Sequence, residues 1–311
     1  GHIGLQLKNA TTLLALSDCD IGVSPTNWQQ STFPSHYHSK IEVVHEGIDT
    51  SRVRPNPQAR LMLPNGRQVG PSDEIVTFVV RNLEPLRGYH IFMRALPEIL
   101  RRRPNAQIVI IGRDGLSYGL PPPAGSTWKS IFLEEMRDQQ DMSRVHFMGG
   151  VPYHTFVAAL QVSSAHVYLT YPFVLSWSAL EAMSAGCLVI GSDTSPVREV
   201  ISSGDNGLLV PFFAIDELAG RVVEALQEPE QFNAIREAAR RFVIEHYDAE
   251  RICVPRMRQL LDLKGSPTSA RRNVWAGRPA SERPKGIRRT PRKSRALIEI
   301  EVSDEVGSGR S

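Results

Sequence analysis

Five seven-residue runs dominated by apolar, mostly β-favouring residues recur between residues 74 and 193: EIVTFVV (74–80), AQIVIIG (106–112), RVHFMGG (144–150), AHVYLTY (165–171) and CLVIGSD (187–193). Strands that are apolar on both faces lie inside a sheet covered on both sides, and parallel sheets are of that kind. Segments with helical periodicity alternate with these runs: HIFMRALPEILRRR (90–103), YHTFVAALQVS (153–163), SALEAMSAG ending at Gly186, SPVREVI (195–201) with Pro196 near its start, IDELAGRVVEALQ (215–227) and PEQFNAIREAARRFVIEHY (229–247). NGLLVP (206–211) adds a brief strand. Repeated βα units predict an α/β, doubly wound, Rossmann-like domain over residues 74–264.

The first 73 residues read differently. A helix, a short strand, a second helical start at Pro25 and one strand over SKIEVVHEGID precede a Pro- and Gly-rich connection, residues 51–73. Two βα units cannot close a sheet of their own, so residues 1–50 read as the end of a preceding Rossmann-like domain. At the other end, residues 265–311 gather arginines among Pro, Ser and Gly, whereas the chain up to Lys264 is slightly acidic. So few apolar residues cannot offset the ordering entropy, and a disordered basic tail is expected. It would attract nucleic acid or anionic lipid without sequence specificity; the plainer reading is a solvated tail. No apolar run of about 18 residues and no signal peptide is evident, so the expected compartment is the cytoplasm, extending to the inner face of the membrane. Cys19, Cys187 and Cys253 lack metal or disulfide spacing and read as small buried fillers, and the histidines show no metal-ligand spacing.

Ligands of open α/β sheets bind beyond the carboxyl ends of the strands, where helix N-termini point unpaired N–H groups outward. RNLEPLRGYH follows the first strand, and Arg81, Asn82 and Arg87 there suit a diphosphate, since guanidinium groups donate parallel hydrogen bonds. Gly112 ends the second strand and opens GRDGLSYGLPPPAG, an expected excursion over the site that is neither GxGxxG nor a P-loop. In TYPFVLSWSALEAMSAG (170–186), Val174, Leu175 and Ser176 precede a helix and present amide N–H groups, with Ser176 as cap. Glu181 would accept vicinal hydroxyls as a double acceptor. His45 and Glu199 lie toward the same cleft: a lone His at a strand end reads first as structural, with help in acceptor deprotonation as the alternative, and Glu199 reads as a capping acid, with support of Glu181 as the alternative; Trp177 is expected to pack.

Across residues 9–262 the motifs resemble those of family 4 retaining glycosyltransferases, which have the GT-B fold of two Rossmann-like domains. HEGID (45–49) resembles the end of that family's first domain, VVRNLEPLRGYHIFMRAL the opening of its donor domain, VHFMGGVPYHTF its F-x-G-x-V segment, and FVLSWSALEAMSAGCLVIGSD with PVREVI and NGLLV its long signature. The resemblance implies that Glu181 is the second acid of a Glu-(x)7-Glu motif and accepts the nucleotide ribose. The first acid, which contacts the transferred sugar, falls on Phe173. Amides of Val174, Leu175 and Ser176 match those that hold the distal phosphate and sugar, and Gly149 to Val151 match the nucleobase edge. The family's Arg and Lys on the diphosphate fall on Asn82 and Arg87, with Arg81 adjacent.

The resemblance also implies transfer of a sugar from a nucleoside-diphosphate donor with retention, in polysaccharide or glycoconjugate assembly, onto a saccharide or lipid-linked acceptor. Arg87 and Arg81 would stabilise the departing diphosphate, with no metal or other cofactor and no enzymic nucleophile. Only the last units of the acceptor domain are recognisable, so weak turnover by this chain is expected. A non-catalytic nucleotide-sugar-binding or interaction module is the alternative.

Overall fold

The computed structural model describes residues 2–137 and 141–265. It begins with helix α1 (His2–Asp18), strand β1 (Gly22–Ser24), helix α2 (Asn27–Ser31) and strand β2 (Ile41–Val43), with β1 and β2 paired in parallel. α2 starts at Asn27 rather than Pro25 because Thr26 is its cap, Oγ1 accepting the Gln29 N–H at 3.1 Å. The strand expected over SKIEVVHEGID is confined to its middle. Beyond it, Ile48 donates its N–H to the Tyr247 carbonyl at 2.7 Å, and its own carbonyl takes the Ala249 N–H at 2.9 Å, so the chain turns toward its C-terminal region.

Residues 51–73 contain more structure than the sequence indicates. Strands β3 (Leu61–Met62) and β4 (Gln68–Val69) form an antiparallel hairpin whose turn includes Gly66 at φ +83°. Leu61, Leu63 and Val69 are buried with Ile75, Val109, Ile111, Ala159 and Val162, which packs the hairpin onto the next sheet.

That sheet is built from β5 (Ile75–Asn82), β6 (Gln107–Arg113), β7 (Val145–Gly149), β8 (Ala165–Tyr168), β9 (Leu188–Ser192) and β10 (Leu208–Val210), ordered β10-β9-β8-β5-β6-β7. All neighbours are parallel, and the order reverses between β5 and β8, as in a doubly wound Rossmann sheet. The helices between and after them are α3 (Tyr89–Arg102), α4 (Trp128–Glu135), α5 (Tyr153–Gln161), α6 (Trp177–Ala185), α7 (Ser195–Arg198), α8 (Ile215–Gln227), α9 (Asn233–Tyr247) and α10 (Val254–Gly265). On one face α3 buries Phe92, Leu96 and Ile99, and the Phe92 ring stacks on Phe78 of β5 at 4.6 Å. On the other, Ala179, Leu180 and Met183 of α6 pack with Ala239 and Val243 of α9.

Two helices, α4 and α10, fall where the sequence indicated none. β8 ends three residues early because the Thr170 N–H turns to the Ser192 hydroxyl at 3.0 Å and the Tyr171 N–H to the Leu86 carbonyl at 2.9 Å. Cys187 and Cys253 are buried as expected, whereas Cys19 is half-buried. Apart from Gly265, which closes α10, the basic tail lies outside the described residues. Among the described residues no helix is long and apolar enough to cross a membrane.

Glu199 is a capping acid across the two parts of the chain. Its carboxylate accepts the N–H and side-chain amide of Asn27 at 2.9 and 3.1 Å, and the Trp28 N–H, at the N-terminus of α2. These are donors a helix start leaves unpaired, and a cap of this kind is worth about 1 kcal/mol. Glu199→Ala is therefore expected to speed amide exchange in residues 28–31 by roughly fivefold, with β5 and β6 unchanged. Unaltered exchange there in a hydrogen-exchange measurement would refute the latch.

Candidate functional site

The ends of β5 and β8 meet at the reversal point of the sheet, and the two chains leaving them are tied together. β5 leads into a 3-10 turn, Pro85–Arg87, closed by Gly88 in the left-handed region at φ 72°. Arg87 is 8% exposed, and Nη1 donates to the Thr170 hydroxyl at 3.0 Å and the Val174 carbonyl at 2.9 Å. Its guanidinium carbon lies 5.0 Å from the Phe173 ring centre and 5.6 Å from that of Tyr118, and the two rings are 4.9 Å apart. Aromatic faces attract the cation. Among the described residues no carboxylate lies within ion-pair distance of Arg87; its partners are the Thr170 and Tyr168 hydroxyls, the Val174 carbonyl and two rings. A buried charge is normally paired, and an external anion is a partner this guanidinium could accept.

The Gly-rich stretch after β6 lies over this arginine, as expected of an excursion, and side chains from the β5 exit fix it there. Glu84 is fully buried, and Oε2 accepts the N–H groups of Tyr118 and Gly119 at 3.1 and 2.8 Å. Asn82 donates its side-chain amide to Ser117, and Arg81 donates to the Tyr118 hydroxyl at 3.4 Å. Arg81 is thus next to Arg87 through a shared aromatic neighbour, whereas Asn82 serves the loop.

On the β8 side the amides differ. The Ser176 N–H donates to the Tyr168 hydroxyl at 2.8 Å, so the expectation of an unpaired amide fails there. Tyr168 is buried, and burial raises its phenol pKa against the opposing pull of Arg87 and the Ser176 N–H. No acceptor within the described residues takes the N–H of Val174 or Leu175. Ser176 caps α6 through its hydroxyl, at 3.4 Å from the Ser178 N–H.

Glu181, on the second turn of α6, is 7% exposed, and Oε1 accepts the Tyr153 hydroxyl at 2.8 Å. Burial raises its pKa, and the Tyr153 hydrogen bond partly offsets that rise. Val151, partly buried, lies two residues before Tyr153, between β7 and α5. At Gly112 a Cβ would lie 2.9 Å from the Val80 carbonyl and 3.1 Å from Leu83, so the close packing of β5 and β6 leaves no room for a side chain there. His45 is buried, with Nδ1 accepting the Gly47 N–H at 2.9 Å and its ring edge-on to Tyr247, and burial lowers its pKa. Trp177 does not pack; it is 53% exposed, and Nε1 reaches Glu46 at 3.3 Å. Tyr118, Glu84, Thr170 and Tyr153 were missed from sequence. The one available cue was an aromatic, Tyr118, between glycines in an expected excursion.

A parallel doubly wound sheet with these exits at its reversal point has the architecture of one half of a GT-B fold, and the comparisons with known proteins carry this further. The model for glycosyl transferases group 1 matches residues 66–242, and the chain belongs to that family. The model for the glycosyl transferase family 4 group matches residues 1–53. A GDP-mannose-dependent alpha-(1-6)-phosphatidylinositol monomannoside mannosyltransferase of Mycolicibacterium smegmatis is 25% identical over 74% of this chain and 59% of its own length. A D-inositol 3-phosphate glycosyltransferase of Rhodococcus jostii is 24% identical over 73% of this chain and 49% of its own. The chain thus spans between half and three-fifths of the length of these relatives. Among solved structures, Anabaena HepE in complex with UDP-glucose superimposes with TM-score 0.62 at 16% identity, covering 78% of this chain and 64% of HepE. The C-terminal domain of a group 1 glycosyl transferase (LpcC) from Francisella tularensis superimposes with TM-score 0.54 at 17% identity, covering 66% of this chain and all of that domain.

Proposed function

We propose that this chain carries the donor half of a glycosyltransferase that moves a sugar from a nucleoside diphosphate to a saccharide or lipid-linked acceptor, with retention of anomeric configuration, in polysaccharide or glycoconjugate assembly. The observation that carries the reading is Arg87, buried, without an acid partner, and placed between two unpaired amides and the loop that holds Tyr118. The diphosphate would take the guanidinium and the Val174 and Leu175 N–H groups at the start of α6. As the glycosidic bond breaks, negative charge grows on the distal phosphate, and fixed donors in a partly dry site stabilise that change without reorganising. Arg81 adds positive charge from solvent, and the reaction needs neither metal nor other cofactor. Glu181 would accept the ribose hydroxyls and Val151 would border the base. GDP-mannose in one relative's name and UDP-glucose bound to one fold neighbour frame the choice of donor, guanine or uracil. We place the protein on the cytoplasmic side, with peripheral membrane contact where the acceptor is lipid-linked.

Calorimetry with UDP, GDP and their sugar conjugates tests this. Wild type is expected to bind at least one nucleoside diphosphate, and Glu181→Ala to weaken it by roughly tenfold, the value of a charge-assisted hydrogen bond. An unchanged affinity in Glu181→Ala would remove the ribose role. We further expect slow transfer by the isolated chain, whose described residues hold two strands of the acceptor-side domain. Vigorous turnover with any acceptor would overturn that expectation.

A further inference from the structure

We infer that Tyr153 is a positioning residue for Glu181: its hydroxyl orients the carboxylate toward the donor's ribose, and the turn at Asp49–Arg52 in the interdomain connection holds the Tyr153 ring. The inference rests on the proposed ribose role of Glu181.

Tyr153 is the first residue of α5 and is 41% exposed, so its ring contributes little to the core. The hydroxyl spends its proton on Glu181 Oε1 at 2.8 Å. A mostly buried carboxylate held by one oxygen keeps a single rotamer and offers its other oxygen to a ligand. The ring itself is held from two sides: the Arg52 guanidinium carbon stands 4.5 Å from its centre, and the Phe156 ring lies at 5.8 Å. Arg52 is placed by its own turn, in which Asp49 Oδ1 accepts the N–H groups of Ser51 and Arg52 at 3.2 and 3.0 Å and the Ser51 hydroxyl at 2.6 Å. Those bonds lower the Asp49 pKa and keep it charged. A chain of contacts thus runs from the connection between the two domains to the acid on α6.

The charged and titratable groups around Glu181 are few. α5 supplies Tyr153, and the connection supplies Arg52 and Asp49 behind it. Glu46 reaches the start of α6 through Trp177, and Arg240 of α9 binds the Ser184 carbonyl further along the same helix. Among the described residues, Tyr153 is the one that hydrogen-bonds the carboxylate. Its donated hydrogen bond favours the charged form, against the burial that raises the pKa of Glu181. Without the hydroxyl that pKa rises further, and protonation replaces the charged ribose acceptor by a weaker, neutral one at a higher pH.

The test is calorimetry on the whole chain, wild type and Tyr153→Phe, with UDP, GDP and inorganic pyrophosphate between pH 5 and 8. Phenylalanine keeps the ring and its contacts with Arg52 and Phe156 and deletes only the hydroxyl. Nucleoside diphosphate binding at pH 7 is expected to weaken by roughly five- to tenfold. The acid limb of affinity is expected at higher pH, and pyrophosphate, which has no ribose, should bind as to wild type. Arg52→Ala should shift nucleotide binding in the same direction by about two- to threefold. Unchanged nucleotide affinity and pH profile in Tyr153→Phe would overturn the inference, as would equal losses for nucleotide and pyrophosphate, which mark general damage to the site. A wild type that binds neither nucleotide overturns the ribose reading and this inference with it.

Discussion

Arg87→Met is expected to weaken nucleoside diphosphate binding by at least about a hundredfold while leaving the fold as stable as before or more so. Hydrogen bonds to a charged group are worth about 1.5–3 kcal/mol each, and two to a diphosphate exceed two decades in affinity. The stability side follows from the surroundings. Arg87 lies against the paired rings of Phe173 and Tyr118 with no acid to neutralise it. An apolar side chain of similar length fills that slot without the desolvation of a guanidinium. Thr170 keeps its bond to the Tyr171 carbonyl and Tyr168 the bond it accepts from the Ser176 N–H, each at 2.8 Å, so the Val174 carbonyl is the group left without a partner. Calorimetry with UDP or GDP and urea denaturation read the two halves separately. An Arg87→Met variant that binds the nucleotide within threefold of wild type would remove Arg87 from the anion site. One that binds poorly because it unfolds would instead make Arg87 a structural residue.

The same arginine shows what sequence could and could not convey. Its place after a strand was legible because β5 is buried on both faces and reads as an unbroken apolar run, and the six-stranded sheet follows from such runs. Boundaries were lost where the chain leaves the ladder to build the site. Residues 169–171 are as apolar and β-favouring as the strand before them, yet their backbone bonds go to Ser192 and Leu86. Phe173 read as an acid lost from a motif; in the structure its ring lies against Arg87 and Tyr118, a contact between residues 55 or more positions apart that no local pattern encodes. The hairpin β3–β4 was hidden because two-residue strands carry no periodicity, although the Asn65-Gly66 pair within it is a turn signal. α10 was hidden by Pro255 and its charges; Arg256 on it reaches the Val43 carbonyl at 3.5 Å. Such long-range closure is set by the packing of two chain ends.

Gly88→Ala is expected to destabilise the protein by about 2–5 kcal/mol and to weaken nucleotide binding even where the chain stays folded. Two independent terms make up that range. At φ +72° an L side chain is strained by roughly 1–2 kcal/mol. A Cβ there would also lie 2.3 Å from the Leu169 Cβ, an atom that no rotamer change can move, so the backbone must separate, at about 1–3 kcal/mol for overpacking. The segments forced apart are the two that make the site, joined by the Tyr171 N–H to the Leu86 carbonyl at 2.9 Å and by Arg87 to Thr170 at 3.0 Å. Gly66→Ala is the control, because φ is +83° there and nothing lies within 4 Å of the new Cβ, leaving the backbone term of about 1 kcal/mol alone. Urea denaturation of both variants measures the difference, and equal losses would mean that Leu169 yields. A larger loss in Gly88→Ala, with nucleotide affinity reduced, would tie the close approach of β8's exit directly to the arginine one residue before this glycine.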